Sequence, residues 1–221
     1  MLLVFLGPPG CGKGTQSQYL TEKYGFKSFA TGQILRHEID SASEIGLKIK
    51  DNMKAGLYVS DEIILDIIKK NLVYCEVKDV LFDGFPRTLG QAQAFDEFLA
   101  QQSKSVDLVV YFSITDHILL KRIVGRYNCA DCGRVYHDQT NKPQVEGICD
   151  QCRGKKFVRR IDDTAESFEK RLKVYYDSTQ PLIGFYKNKS NFVEIDASQN
   201  LEHVTERLLT VVQPYLSHDK E

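Results

Sequence analysis

The sequence has 221 residues, 42% hydrophobic and 27% charged, the composition of a globular chain with one sizeable core and room for small inserted lobes. Its 29 basic residues nearly balance 30 acidic ones, for a formal net charge of −1. That balance leaves no electrostatic footprint for nucleic acid or an anionic membrane, so any anion site has to come from locally placed arginines.

The first element is Leu2–Leu6, a continuous apolar run that ends in Gly-Pro-Pro-Gly and reads as a buried parallel strand. It is too short for a membrane span or a signal segment and has no basic residues before it, so the expected location is the cytoplasm. A helix over Lys13–Tyr24 closes near Gly25, and Lys27–Ala30 is a weaker strand candidate. Thr31–Val59 reads as helical and polar, with no strand of its own. Val80–Asp83 is a short strand ending at Gly84-Phe85-Pro86, after which Thr88 can cap a helix running to about Gln102. Asp107–Ile114 is a third clear strand, followed by a helix over Asp116–Val124. Arg126–Ile161 holds four cysteines and no long helical period. Asp163–Lys187 reads as one long helix, Asn191–Ile195 as a last strand and Leu201–Tyr215 as a terminal helix. Strands alternating with helices predict an α/β fold built on a parallel sheet covered on both faces. The two stretches outside that rhythm read as insertions at the carboxyl ends of strands, where such sheets hold their ligands.

Gly7-Pro8-Pro9-Gly10-Cys11-Gly12-Lys13-Gly14-Thr15 follows the first strand and opens the first helix. Gly7-x-x-x-x-Gly12-Lys13 is the skeleton of a phosphate-binding P-loop. Its glycines let backbone N–H groups converge on phosphate oxygens, the helix N-terminus adds its positive end, and Lys13 reaches the outer phosphates. The alternative, a glycine-rich turn with an incidental lysine, does not account for the strand before and the helix after. One departure stands out: Gly14 occupies the place directly after the lysine where Ser or Thr is usual, and Thr15 follows.

The Gly-Lys-Gly-Thr variant resembles nucleoside monophosphate kinases. Further motifs narrow the resemblance to adenylate kinases: Thr31-Gly32-Gln33-x-Leu35-Arg36, Gly56-Leu57-Tyr58-Val59, Asp83-Gly84-Phe85-Pro86-Arg87-Thr88, Gln91, Arg122-Ile123-Val124-Gly125-Arg126, Gly133-Arg134-Val135-Tyr136-His137, Arg160-x-Asp162-Asp163 and Arg171, in that order. They span essentially the whole chain, and the extended 126–161 segment is similar to that of the long, bacterial-type form. The resemblance implies a five-stranded nucleoside monophosphate kinase fold with two mobile lobes. Residues 1–30, 60–125 and 162–221 would be the core, 31–59 an AMP-binding lobe and 126–161 a lid. It further implies transfer of the terminal phosphoryl group of Mg-ATP to AMP, giving two ADP. A monomer is the default expectation, and the charge balance predicts no nucleic-acid or membrane partner.

By the same resemblance Gly10, Cys11, Gly12, Lys13, Gly14 and Thr15 would bind the ATP phosphates. Arg122, Arg126, Val135, Tyr136 and Gln199 would complete the ATP side. Thr31, Arg36, Leu57, Tyr58, Val59, Gly84, Phe85, Pro86, Arg87 and Gln91 would form the AMP side, with Arg160 and Arg171 bridging both substrates. Lys13, Arg87, Arg126, Arg160 and Arg171 would carry the chemistry. Asp83, at the end of an apolar strand, reads as an acid holding Mg²⁺ through water, the alternative being a turn-capping aspartate. Phosphoryl transfer needs alignment and charge neutralisation more than a general base. Guanidinium forks suit phosphate oxygens and stay charged when water is excluded.

Six cysteines in a cytoplasmic chain read as metal ligands or buried thiols rather than disulfides. Cys129-x-x-Cys132 and Cys149-x-x-Cys152, sixteen residues apart, have zinc-ribbon spacing. Four thiolates leave no open coordination position, so the expected Zn²⁺ is structural, clipping a segment too polar to pack a core alone. Two accidental or redox-active pairs are the alternative. Cys11 and Cys75 stand apart from this set. Two other functions remain open at this stage: a kinase of another monophosphate or one using GTP, and, from a different class, a zinc-ribbon nucleic-acid module.

Overall fold

In a computed structural model the described residues are 1–55, 57–73, 75–160 and 163–216. Gly56 and Asp162 of the motifs above, and the boundary residue Ile161, lie outside them. In chain order the elements are β1 (Leu2–Leu6), α1 (Lys13–Tyr24), β2 (Lys27–Ala30), α2 (Thr31–Asp40), α3 (Glu44–Lys54), α4 (Asp61–Val73), β3 (Val80–Asp83), α5 (Leu89–Ala100), β4 (Leu108–Ser113) and α6 (Asp116–Val124). They continue with β5 (Arg126–Cys129), β6 (Val135–His137), β7 (Phe157–Val158), α7 (Ala165–Val174), α8 (Gln180–Lys187), β8 (Phe192–Asp196) and α9 (Leu201–Val212).

The main sheet has five strands in the order β2-β3-β1-β4-β8, all parallel, with β1 at its centre. Every residue of β1 is buried because both faces of the sheet are covered, which is why the run carries no polar alternation. Leu2, Val4 and Leu6 pack on one side with Ile64, Ile68 and Leu72 of α4, Phe95 and Leu99 of α5, and Leu182 and Tyr186 of α8. Leu3 and Phe5 pack on the other with Leu20 of α1, Leu119 and Ile123 of α6, and Val204, Leu208 and Val212 of α9. The period of two along the strand thus sorts two separate hydrophobic layers.

Capping follows the sequence closely. The N–H of Gly25 returns to the Thr21 carbonyl at the end of α1, and the Thr88 hydroxyl accepts from the Gln91 N–H at the start of α5.

The sequence reading differs from the structure in three places. It did not assign α4, whose buried Ile64, Ile68 and Leu72 recur at four-residue spacing. The long helix starts at Ala165, capped by Thr164, and is broken by a π-turn over Tyr175–Thr179. Pro181 explains the π-turn: it lacks an N–H, and its ring would clash with the carbonyl four residues back, so one extra residue is accommodated in the preceding turn. The cysteine segment folds as a second, antiparallel sheet, β6-β5-β7, over a small aromatic cluster of Tyr127, Tyr136 and Phe157. It rests on α1 through an Arg134–Glu22 ion pair at 3.2 Å and a Gln18–Gln151 hydrogen bond at 2.9 Å.

Candidate active site

The loop between β1 and α1 winds through glycines because other residues would not fit. Gly7 has φ +145°, and a Cβ there would sit 2.8 Å from both Cys11 Sγ and the Phe112 carbonyl. No side chain caps α1 and no acidic residue lies in its first turn, so its N-terminal N–H groups keep their affinity for an anion. Lys13 curls over the loop, its Nζ donating to the carbonyls of Gly7 (2.6 Å) and Pro8 (2.9 Å) and lying 3.4 Å from Cys11 Sγ.

This loop floors a cavity of about 460 Å³. Gly10–Thr15, Arg36, Leu57, Tyr58, Asp83, Gly84, Pro86, Arg87, Arg122, Arg126, Val135, Tyr136, Arg160, Arg171 and Gln199 all line it. Thr31, Val59, Phe85 and Gln91 do not; all four are buried behind its wall. Gln91 is instead part of a polar brace. Its Nε2 donates to Asp61 Oδ1 (2.7 Å), its Oε1 accepts the Arg87 N–H (2.8 Å), and Asp61 Oδ2 accepts from the Thr88 hydroxyl (2.7 Å).

Most of these arginines are held by polar partners elsewhere in the fold. Arg87 sits beyond the cis Phe85–Pro86 bond and donates from Nε to the Gly84 carbonyl at 2.7 Å. Arg122 donates to the carbonyls of Ala197 (2.9 Å) and Gln199 (3.4 Å); burial pushes its pKa below the ordinary arginine value without neutralising it. Arg160 Nε reaches Asn128 Oδ1 at 3.2 Å. Arg126 engages Asp163 through two nitrogens, Nε at 2.8 Å and a second, shorter contact from a terminal nitrogen. Asp163 Oδ1 also lies 3.7 Å from Arg171. Asp61, Asn128 and Asp163 were not singled out as site residues in the sequence. Thr88, Arg160 and Arg126, which they bond, lie 27, 32 and 37 residues away, and only the fold pairs them. Asp83 points at the loop, with Oδ2 3.5 Å from where a Cβ on Gly14 would lie.

The four cysteines of the small sheet converge, all four Sγ atoms lying within 4.8 Å of one another. The nearest pairs, Cys129–Cys152 and Cys132–Cys149, are 3.5 Å apart, far longer than a disulfide and close to the roughly 3.8 Å edge of a tetrahedron with 2.3 Å metal–sulfur bonds. Each Cys-x-x-Cys turn closes the same way: Gly133 and Arg153 donate back to the carbonyls of Cys129 and Cys149, while Cys129 and Cys149 donate forward to those of Arg134 and Gly154. Burial opposes the Cys149 thiolate. Backbone N–H groups of Cys152 and Gln151 and the Tyr136 hydroxyl outweigh it and bring the pKa down to about 6. Cys132 is pushed up to about 12, by burial first and then by the three other sulfurs, against a backbone N–H of Arg134.

Among the described residues no helix is long and apolar enough to cross a membrane. Residues 5–191 match the sequence model of the family described as "Adenylate kinase". The chain is 44% identical over 209 residues to the adenylate kinase of Paramagnetospirillum magneticum, covering 94% of this chain and 96% of that protein. It is 42% identical over 213 residues to that of Allorhizobium ampelinum (96% and 99% covered) and 38% identical over 209 residues to that of Clostridium novyi (94% and 96% covered). A phosphate loop at the centre of a parallel sheet, arginines around one cavity and likeness along nearly the full length agree: the chain belongs to the adenylate kinase family, enzymes that transfer a phosphoryl group between ATP and AMP.

Proposed function

We propose that this chain binds Mg-ATP over the Gly10–Thr15 loop and AMP beside Arg36 and Arg87, and brings their phosphates together between six arginines. The observation that carries this reading is that Arg36, Arg87, Arg122, Arg126, Arg160 and Arg171, on six separate segments, all border one cavity floored by Lys13. The acceptor oxygen of AMP is already ionised at neutral pH, so no general base is required. Charge neutralisation and alignment supply the catalysis. Lys13 and the α1 N-terminus hold the donor phosphates. Arg87, Arg126, Arg160 and Arg171 neutralise charge on the transferring group, and Arg122 with the Gln199 backbone borders the donor base. Asp83, beside Gly14, is the residue placed to hold hydrated Mg²⁺, which when bound with ATP neutralises phosphate charge. Thr31, Val59, Phe85 and Gln91 act from behind the cavity wall by shaping the acceptor pocket.

Residues 31–59 and 126–161 serve as lobes that close over the two substrates and keep ATP from hydrolysis by water. The four cysteines hold Zn²⁺ as a structural clip. The protein acts as a cytoplasmic monomer with ATP, AMP and ADP as its nucleotide partners and no nucleic acid.

A coupled assay of ADP formation tests the reading. AMP is expected to be the preferred acceptor over GMP, CMP and UMP, and Arg87→Lys is expected to lower kcat/KM by about 10²-fold or more, because a point charge replaces a planar fork. Equal use of other monophosphates would overturn the acceptor assignment, and near-normal turnover of the lysine variant would remove Arg87 from the site.

The zinc has its own test. Metal analysis is expected to give one Zn²⁺ per chain. Chelation or Cys149→Ser is expected to lower the thermal midpoint by on the order of 10 °C, since each kcal/mol lost shifts a chain of this length by about 2–4 °C. Turnover at moderate temperature should persist at an altered rate. Immediate loss of chemistry in a protein still protected from hydrogen exchange would make the metal catalytic instead.

A further inference from the structure

The π-turn places one hydroxyl at the edge of the cavity. Thr179, its last residue, is only 5% exposed, yet it borders the cavity and makes two hydrogen bonds of 2.8 Å, one with the Arg87 carbonyl and one with the Tyr58 hydroxyl. The directions of these bonds follow from chemistry. A carbonyl only accepts, so the single hydroxyl proton of Thr179 is spent on Arg87; Tyr58 must then donate its own proton to Thr179. The result is an ordered chain, Tyr58 O–H to Thr179 O–H to Arg87 C=O, linking three segments 58, 179 and 87 in the sequence.

The other groups of Arg87 are held as well. Its N–H goes to Gln91 Oε1 at 2.8 Å, its Nε goes to the Gly84 carbonyl at 2.7 Å, and its guanidinium carbon lies 5.1 Å from the centre of the Tyr58 ring. Tyr58 therefore meets Arg87 twice, through its ring at the guanidinium and through its hydroxyl, by way of Thr179, at the backbone. A fork that must meet phosphate oxygens bidentately tolerates little drift, and removing one anchor lets it wander.

We propose that Thr179 and the Tyr58 side chain are positioning residues for Arg87, tethering the stem of the 31–59 segment to the π-turn so that the guanidinium is preset for the acceptor phosphate. Neither is required to touch the phosphate itself. The proposal rests on the reading of Arg87 as the acceptor-phosphate arginine.

Steady-state kinetics with both nucleotides varied, together with thermal melts, test it. Thr179→Val keeps the shape and removes the hydroxyl; it is expected to raise KM for AMP about tenfold while KM for ATP stays within twofold. Thr179→Ser restores the hydroxyl and is expected to return KM for AMP to within about twofold of the parent. Tyr58→Phe keeps the ring under the guanidinium and loses only the far end of the chain, so a rise of about threefold is expected. The Tyr58→Phe, Thr179→Val double variant is expected to be no worse than Thr179→Val alone, because the phenol proton then has no relay to feed.

An unchanged KM for AMP in Thr179→Val would overturn the proposal, as would equal shifts for ATP and AMP accompanied only by a lower melting point. Should Thr179→Val fail to fold, Tyr58→Phe decides the matter by the same split. If Arg87→Lys is impaired while the hydroxyl variants are normal, the tether alone is wrong. If Arg87→Lys is normal, the reading of Arg87 falls and the tether with it.

Discussion

Lys13→Ala is expected to cut kcat by roughly 10²–10³-fold, the range for deleting one charge-stabilising donor from a water-excluded site. The side chain holds no packing together. Its Nζ bonds two loop carbonyls and nears one sulfur, and after truncation the carbonyls of Gly7 and Pro8 face a cavity that water can enter. The loop's path is fixed by its glycines, so the thermal midpoint should move by no more than about 2–4 °C, the equivalent of 1 kcal/mol. Fold and chemistry therefore separate cleanly in this variant. A coupled ADP assay beside a melting curve reads both, and retained turnover would mean that Lys13 does not act on the transferred phosphoryl group.

A large effect on stability is expected elsewhere, at the corner between α2 and α3. Gly46 lies against the end of α2 so closely that a Cβ would sit 2.0 Å from the Glu38 carbonyl oxygen and 2.4 Å from its carbon. Both are backbone atoms, which no side-chain rotation can move. The corner is also tied by Ser43, whose hydroxyl accepts from the Gly46 N–H at 2.9 Å and lies 2.5 Å from Glu38 Oε2. Gly46→Ala must pry the two helices apart. A loss of about 3 kcal/mol is expected, near the top of the range for overpacking, and hence a fall in thermal midpoint of roughly 6–12 °C. Hydrogen exchange should rise first in 31–54, and KM for AMP should rise more than KM for ATP. A melting curve superimposable on the parent's would show that the corner is looser than drawn.

How much of this was legible beforehand depends on how local the signal was. The central strand, α1 and the phosphate loop are spelled out by contiguous residues: an apolar run, a glycine cluster, a lysine and a helix with Gly25 at its end. Helix α4 carries an equally local signal, Ile64, Ile68 and Leu72 at four-residue spacing. Pro181 likewise announced an interruption of the long helix, although a π-turn is only one of the forms such an interruption can take. The strands of the small sheet are two to four residues long, too short for any periodicity to build up.

The cavity divides the same way. Motifs quoted in the sequence supply its arginines, whereas the groups that hold those arginines could only be seen once folded. Asn128 meets Arg160 from 32 residues away and Thr179 meets the Arg87 carbonyl from 92. The placement of Gln91 behind the wall, braced by Asp61, is of the same kind, since the type and spacing of a glutamine do not say which way its amide faces.

Asp163 gives the arginine cluster a further property. Its side chain is 2% exposed and shared by Arg126 and Arg171, so two of the cavity's guanidiniums already have a resident counter-ion. A pocket of bare cations would repel itself and would soak up any small anion in the medium. If Arg126 and Arg171 receive phosphate as proposed, it competes with, or joins, a carboxylate that is already seated, and the net gain of capture is the difference between two ion pairs rather than the whole of one. Weak stray anions gain too little from that exchange to stay, while a polyphosphate that meets several arginines at once gains enough. On that reading the internal carboxylate would set a threshold of charge and reach for capture, and its pairing with Arg126 and Arg171 offsets the mutual repulsion of the two guanidiniums.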